Sequence, residues 1–231
     1  MSHGGARVVA ALLSFAAWHD AGALTLLTDD RFVTSTTTQL VGPPLVFSAS
    51  PDTPFGPFDA GSGFVSQTSD MTLVAGPAGD VLSGHATGTA FGDTSADGDT
   101  YSTSEFSIGF RVDRPGASID LSGLLETIAP FLVVAGEASV ELRSGSEVLY
   151  QRSVDIDPTC CSLPTPFAFS SLLADGTYQL TALASGFSGI PGNSVEGRFS
   201  LDFTVTEPVP EPGTALLVAL GAAGLAACRR R

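Results

Sequence analysis

An all-β fold, an antiparallel β-sandwich of the jelly-roll kind, is predicted by three observations. Three runs alternate apolar and polar residues: Phe106, Ile108, Phe110 and Val112; Tyr178, Leu180, Ala182 and Ala184; Phe199, Leu201, Phe203 and Val205. A period of two places each set on one face of a half-buried strand. Turn signals separate such runs at short intervals, as in Arg114-Pro115-Gly116, Ser144-Gly145-Ser146 and Asp175-Gly176. Between the two ends of the chain helical periodicity is almost absent, and no repeat of fixed period appears, which argues against a solenoid or propeller.

Taken in order, Leu24 to Leu27 and Phe32 to Leu40 are short, Thr-rich and β-prone. Gly42-Pro43-Pro44 interrupts, and Leu45-Val46-Phe47 resumes. Three prolines between Ser50 and Pro57 preclude a regular ladder, so this is a loop. Phe64, Val65, Met71, Leu73 and Val74 suggest two strands broken at Ser69-Asp70. Val81 to Phe91 is dominated by Gly, Ala and Thr; as a strand it would let another backbone approach closely. After the clear strand at Phe106 to Val112, Ile119 and Leu121 alternate, and Phe131 to Val134 is a buried run. Val140 and Leu142, then Val148 and Tyr150, flank the Ser144-Gly145-Ser146 turn. Leu121 to Leu125 and Leu172-Leu173 read as short helical turns at sheet edges, and Gly186 to Gly197 as a Gly/Ser loop before the last strand.

The two ends differ from this body. Arg7 precedes a short apolar core, Val8 to Trp18, and Ala21-Gly22-Ala23 offers small residues where a signal peptidase reads. This is a secretory signal peptide, residues 1–23, cleaved after Ala23 at a site marked by Ala21 and Ala23. The β-sandwich ectodomain then spans 24–206, and residues 207–231 form a tail. In the tail, Pro210 and Pro212 fix φ and lack amide hydrogens, so Glu211 is held on an extended, grippable peptide. The uncharged run from Thr214 to Cys228 would rise about 22 Å as a helix, short of a hydrocarbon core of roughly 30 Å. Arg229, Arg230 and Arg231 would stay cytoplasmic and leave the ectodomain outside.

Residues 209–231 resemble the PEP-CTERM sorting signal of Gram-negative bacteria that secrete exopolysaccharide. The residues that carry the resemblance are Val209, Pro210, Glu211, Pro212, Gly213 and Thr214, then Leu216, Leu217, Gly221 and Leu225, then the three arginines. The resemblance implies that an exosortase-type membrane enzyme recognises and removes the tail. This chain is then a sorted substrate: exported, transiently held in the inner membrane by a short transmembrane helix, then delivered to the cell surface or the extracellular matrix of a biofilm. The stretch from Tyr101 to Val205, with Asp175-Gly176-Thr177-Tyr178 before an alternating strand, is similar in pattern to ectodomains found upstream of such tails. Those ectodomains share no single activity.

Charge and cysteine usage bound the partners. The whole chain carries −14. Setting aside residues 1–23 and 209–231 removes Arg7, Arg229, Arg230 and Arg231 but only Asp20 and Glu211, which leaves −16 and no lysine anywhere. Nucleic acid and anionic lipid are poor partners for such a surface, whereas divalent cations or a neutral or hydrated extracellular polysaccharide matrix are compatible with it, and acidity that serves solubility alone is the competing reading. Cys160 and Cys161 are adjacent and close no long loop, so they supply little of the usual disulfide stabilisation.

Chemistry is sparse. Without lysine there is no P-loop; no G-x-S-x-G elbow exists; His85 is the one imidazole between the two ends and reads as a solvent-facing or satisfied side chain. No catalytic residue is assigned, and the expectation is a non-enzymatic protein. The one metal-like constellation is Asp93, Ser95, Asp97 and Asp99, oxygen ligands at alternate positions with Gly98 between, similar to the start of an EF-hand loop. Its closing carboxylate is misplaced, since Ser104 stands where the bidentate acid belongs, so a solvated hairpin turn competes with calcium as the only cofactor suggested. Three readings follow: an exported surface or matrix protein; a secreted carbohydrate-active enzyme or lectin, with Tyr101, Tyr150, Tyr178 and exposed phenylalanines as sugar platforms; and a permanently anchored envelope protein. A cleft with a carboxylate pair beside aromatics favours the second, and a smooth sandwich the first.

Overall fold

The computed structural model describes residues 24–76, 79–95, 98–129, 134–155, 164–188 and 192–208. Residues 1–23, expected as a signal peptide, with Ala21 and Ala23, the Cys160-Cys161 pair and the tail from Val209 lie outside them. The described residues form β1 (Leu24–Asp29), β2 (Phe32–Thr37), β3 (Leu45–Ala49), β4 (Phe58–Gly61), β5 (Val65–Val74), β6 (Val81–Ser95), β7 (Gly98–Val112), β8 (Ala117–Ile128), β9 (Val134–Ser144), β10 (Glu147–Asp155), β11 (Thr165–Leu173), β12 (Gly176–Ser188) and β13 (Ser194–Thr206).

The last eight strands pair as nested couples: β6 with β13, β7 with β12, β8 with β11 and β9 with β10, all antiparallel. Nesting of this kind is one long ribbon wrapped over itself. It yields one layer ordered β6-β13-β8-β11 and another ordered β7-β12-β9-β10, the jelly-roll arrangement that the alternating runs predicted. The first five strands extend both layers: β5 and β4 beyond β6, and β1 and β2 end to end along β7, with β3 outside β2.

Alternation explains the layers. On β13 Phe199, Leu201, Phe203 and Val205 are buried, and so on β7 are Phe106, Ile108, Phe110 and Val112. The rings of Phe106 and Phe203 meet across the core at 5.9 Å, and Phe110 stacks on Tyr178 at 5.5 Å. Each buried ring of this size contributes about 1.5–3 kcal/mol. The Gly/Ala-rich β6 is a strand, and its small residues accommodate close neighbours as expected. Gly84 and Gly88 stand opposite Phe203 and Phe199 on β13, whose rings lie where a β-carbon would project. Gly123 takes Phe167 of β11 in the same way.

Three local expectations are corrected. Leu121 to Leu125 and Leu172-Leu173 are strand, not helical turns: β8 is hydrogen-bonded on both edges, to β11 and β13, and Leu121 and Leu125 point in while Leu124 points out. No break occurs at Ser69-Asp70, because β6 pairs β5 continuously from Val65 to Val74. Both ends of the Gly186–Gly197 stretch belong to β12 and β13, where Gly186 and Gly197 serve close packing, while Gly192 at φ 82 turns the chain between the strands. The Ser144-Gly145-Ser146 turn is observed, with Gly145 at φ 59, a left-handed conformation glycine adopts without steric cost.

A buried ionic clip joins β1 to β2. Arg31, 1% exposed, makes two hydrogen bonds to Asp29 at 2.6 Å and donates to the Ser69 hydroxyl and the Gly56 carbonyl. Burial alone would raise the Asp29 carboxyl, but hydrogen bonds from Arg31 and the Phe55 N–H, with the guanidinium charge, hold it below its ordinary value. The clip sits where the edge of β7 passes from β1, opposite Ile108–Val112, to β2, opposite Thr100–Glu105.

Candidate functional site: a groove at the pole opposite the tail

The strand registers define two poles. At one, Leu24 lies opposite Val112, Val112 opposite Gly176, and Thr206 opposite Val81. This is the root, where the described chain begins and where it leaves through Glu207 and Pro208. At the other, Tyr101 lies opposite Phe187 and Asp93 opposite Ser194. β12 runs from Gly176 to Phe187 between them, roughly 35 Å at 3.3 Å per residue.

The distal pole carries a depression of about 360 Å³, open to solvent and lined by Tyr101, Ala135, Gly136, Glu137, Asp155, Ser185 and Phe187. Pairing places these residues in two adjacent rows across the outer face of the β7-β12-β9-β10 layer. Ala135, Phe187 and Tyr101 form one row. Asp155, Glu137, Ser185 and Thr103 form the next. Rows two residues apart on a strand are separated by about 7 Å, so an aromatic strip runs beside an acidic one. Tyr101 and Phe187 are 47% and 42% exposed, with ring centroids 6.5 Å apart and planes tilted by 56°. Glu137 and Asp155 are directly opposed on neighbouring strands. One row further along, the Glu105 carboxyl is raised above its ordinary value, first by burial and then by the charge of Asp30.

The floor of this groove is made of backbone. A β-carbon on Gly197 of the opposite layer would fall 2.6 Å from the Glu137 carbonyl oxygen and 2.7 Å from that of Ser185. One on Gly92 would fall 2.6 Å from the carbonyl carbon of Gly186 and the nitrogen of Phe187. Beneath the groove the two sheets therefore meet without intervening side chains, which fixes the strands that carry its residues.

The outer face of the other layer differs. Asp70, His85 and Asp202 form a cross-strand row there, with His85 Nδ1 2.8 Å from Asp202 Oδ1. His85 is thus solvent-facing and partnered. Among the described residues no group of three or more His, Cys, Asp or Glu is arranged to hold a metal.

The predicted calcium ligands are placed only in part. Asp93 and Ser95 lie on β6 and Asp99 on β7, where Thr94 pairs with Asp99 and Ser95 with Gly98. Asp97 lies outside the described residues. Of the tyrosines offered as sugar platforms, only Tyr101 faces out at the groove. Tyr178 is buried, and Tyr150 is half-buried against Phe169 at 4.7 Å. Phe187, Glu137 and Asp155 were not singled out by sequence. The signal for Phe187 was parity: with Tyr178, Leu180, Ala182 and Ala184 pointing in, an aromatic at 187 points out.

Residues 208–231, which continue from the root, match the model of the PEP-CTERM protein-sorting motif. The chain carries a PEP-CTERM sorting motif. The PEP-CTERM motif implies export in a Gram-negative bacterium, a membrane-anchored sorting signal and processing by exosortase, a membrane enzyme. Among the described residues no helix is long and apolar enough to cross a membrane, and the motif itself lies outside them. No curated protein sequence matches this PEP-CTERM chain. Solved structures similar to parts of it include TmCBM61 in complex with beta-1,4-galactotriose, at 12% identity and TM-score 0.24 over 51% of this chain and 80% of that one. Another is the enzymatically active domain of tailspike protein 4 from bacteriophage CBA120, at 11% and 0.23 over 61% and 18%. A third is from infectious bursal disease virus strain Gx, at 9% and 0.24 over 79% and 61%. Likenesses this distant carry no inference about what the PEP-CTERM chain binds.

Proposed function

We propose that this exosortase-sorted extracellular protein is a non-enzymatic surface or matrix component whose head binds a neutral, hydroxyl-rich polysaccharide of the cell's surroundings. The observation that carries the reading is the pairing of an exposed aromatic strip, Tyr101 and Phe187, with an acidic strip, Glu137 and Asp155, in one groove. The apolar face of a sugar ring suits the first and its hydroxyl donors suit the second. An acidic glycan would meet like charge in the groove and over a surface carrying −16 between the two ends. The groove lies at the far pole from Pro208, after which the sorting motif follows in sequence, so a molecule still held by its tail would present it away from the membrane.

Affinity electrophoresis of the exported protein through gels containing neutral or uronic-acid polysaccharides tests this. Retardation by a neutral polymer, lost in Tyr101→Ala and Phe187→Ala, is the expected result; equal mobility in every gel contradicts it. The opposed carboxylates also favour a second reading, hydrolysis of a glycosidic bond between them. Release of reducing ends from the retained polymer, abolished by Glu137→Gln, would establish that reading in place of the first. Binding without cleavage is the expected result. Signal peptidase at Ala23 and exosortase at the tail are the proposed processing partners, and calcium at Asp93–Asp99 is not required.

A further inference from the structure

The root pole holds a group of charges that the groove does not use. The backbone N–H of Leu24, itself 3% exposed, donates to Asp80 Oδ2 at 3.3 Å. The backbone N–H of Glu207 donates to the Asp80 carbonyl at 2.9 Å. One residue thus ties down both the first strand and the root of the sorting tail. Glu207 is 1% exposed, yet neither of its carboxylate oxygens has a well-formed hydrogen bond. Burial pushes its carboxyl up; Arg114 opposes this, and Asp113 and Asp80 reinforce it. Three acids and one arginine therefore meet at the point where the Leu24 amide is held by the Asp80 carboxylate.

Hydrolysis of the Ala23–Leu24 peptide bond consumes one water, leaves a carboxylate on Ala23 and turns the Leu24 amide nitrogen into an α-ammonium with three donors. We propose that the root pole is a binding site for this processed amino terminus, the Leu24 α-ammonium ion-paired with Asp80 and lying in the negative field of Glu207. The inference rests on the reading of residues 1–23 as a signal peptide cleaved after Ala23. Processing then does more than release the chain. It adds a second cation, beside Arg114, to the acidic root, and it pins β1 beside the strand that leads into the sorting motif. An ion pair between two charged partners replaces a hydrogen bond in which only the Asp80 carboxylate carries charge.

Because the chain has no lysine, the α-amine is the one primary amine of the processed protein. Amine acylation of the exported protein, followed by mass analysis of the amino-terminal peptide, reads its environment directly. An amino terminus at Leu24 that acylates at least tenfold more slowly in the native protein than in denaturant is expected. Asp80→Asn should speed native acylation severalfold, and Glu207→Gln less so. If Asp80→Asn does not fold, Glu207→Gln decides. An amino terminus other than Leu24 overturns the cleavage reading and the inference with it. Leu24 acylated at the denatured rate, or native rates unchanged by the variants, overturns the inference alone.

Discussion

The distal pole and the root pole of this sandwich are closed by opposite means. At the distal pole, Gly92, Gly186 and Gly197 let the two sheets touch backbone to backbone, and Tyr101 and Phe187 stand outside on that floor. At the root, Asp80, Asp113, Arg114 and Glu207 gather around the ends of β1 and β13. A strand end that carries a ligand face needs a stiff floor, and glycine contacts supply one without filling the core. A strand end where the described chain enters and leaves needs to hold both segments, and charge does that. The Arg31–Asp29 clip lies between them, at the joint where β1 serves the root half of β7 and β2 the distal half.

Uncoupling the poles at this joint should have the largest effect. Arg31→Met leaves Asp29 buried without its cation, which is expected to cost about 3–5 kcal/mol in chemical denaturation. The pH dependence has a definite sign. The Asp29 carboxyl is depressed in the native state, so its contribution is full above the unfolded value of 3.8 and is lost as pH falls through the lower folded value. The gap between wild type and Arg31→Met should therefore narrow as pH falls below about 4.

Substitution of the distal floor comes next. Gly197→Ala must push apart two backbones and is expected to cost about 1–3 kcal/mol and to weaken polysaccharide retention. Gly63→Ala meets nothing within 4 Å and serves as the control, with a change in thermal midpoint near zero. A neutral Gly197→Ala would show that the floor is looser than the contacts require.

Removing the platforms separates binding from folding. Tyr101→Ala and Phe187→Ala are each expected to weaken retention about tenfold, ~1.4 kcal/mol, while stability stays within about 0.5 kcal/mol because both side chains are surface residues. The smallest effect concerns the Asp93–Asp99 hairpin. Millimolar calcium is expected to move the thermal midpoint by no more than about 1 °C, since a ligand stabilises only in proportion to its occupancy of the native state.

Much of the layer structure was legible because period-two alternation is dictated by which face of a strand meets the core. β7, β12 and β13 could be read from single runs such as Phe199 to Val205. What misled was composition without parity. Leu121 to Leu125 holds three leucines and read as a helical turn, although Gly123 lies on the inward face beneath the Phe167 ring. Gly186 to Gly197 read as a loop, because the signature of close sheet contact and that of flexibility are the same residue. The groove was only partly legible. Tyr101 was singled out, but Glu137 and Asp155 become neighbours only through the β9–β10 register, and no local pattern encodes that register. The sorting motif was legible whole, since its chemistry is contained in contiguous residues.

The location of the binding face is the claim on which the functional account stands. Amide chemical-shift mapping of the isotope-labelled exported protein, titrated with the neutral oligosaccharide that retains it, tests that location. The account predicts shifts clustered at residues 101, 135–137, 155 and 185–187, with the root residues 24, 80 and 207 silent. Shifts centred on His85 and Asp202 across the other layer, or none at saturating sugar, would contradict it.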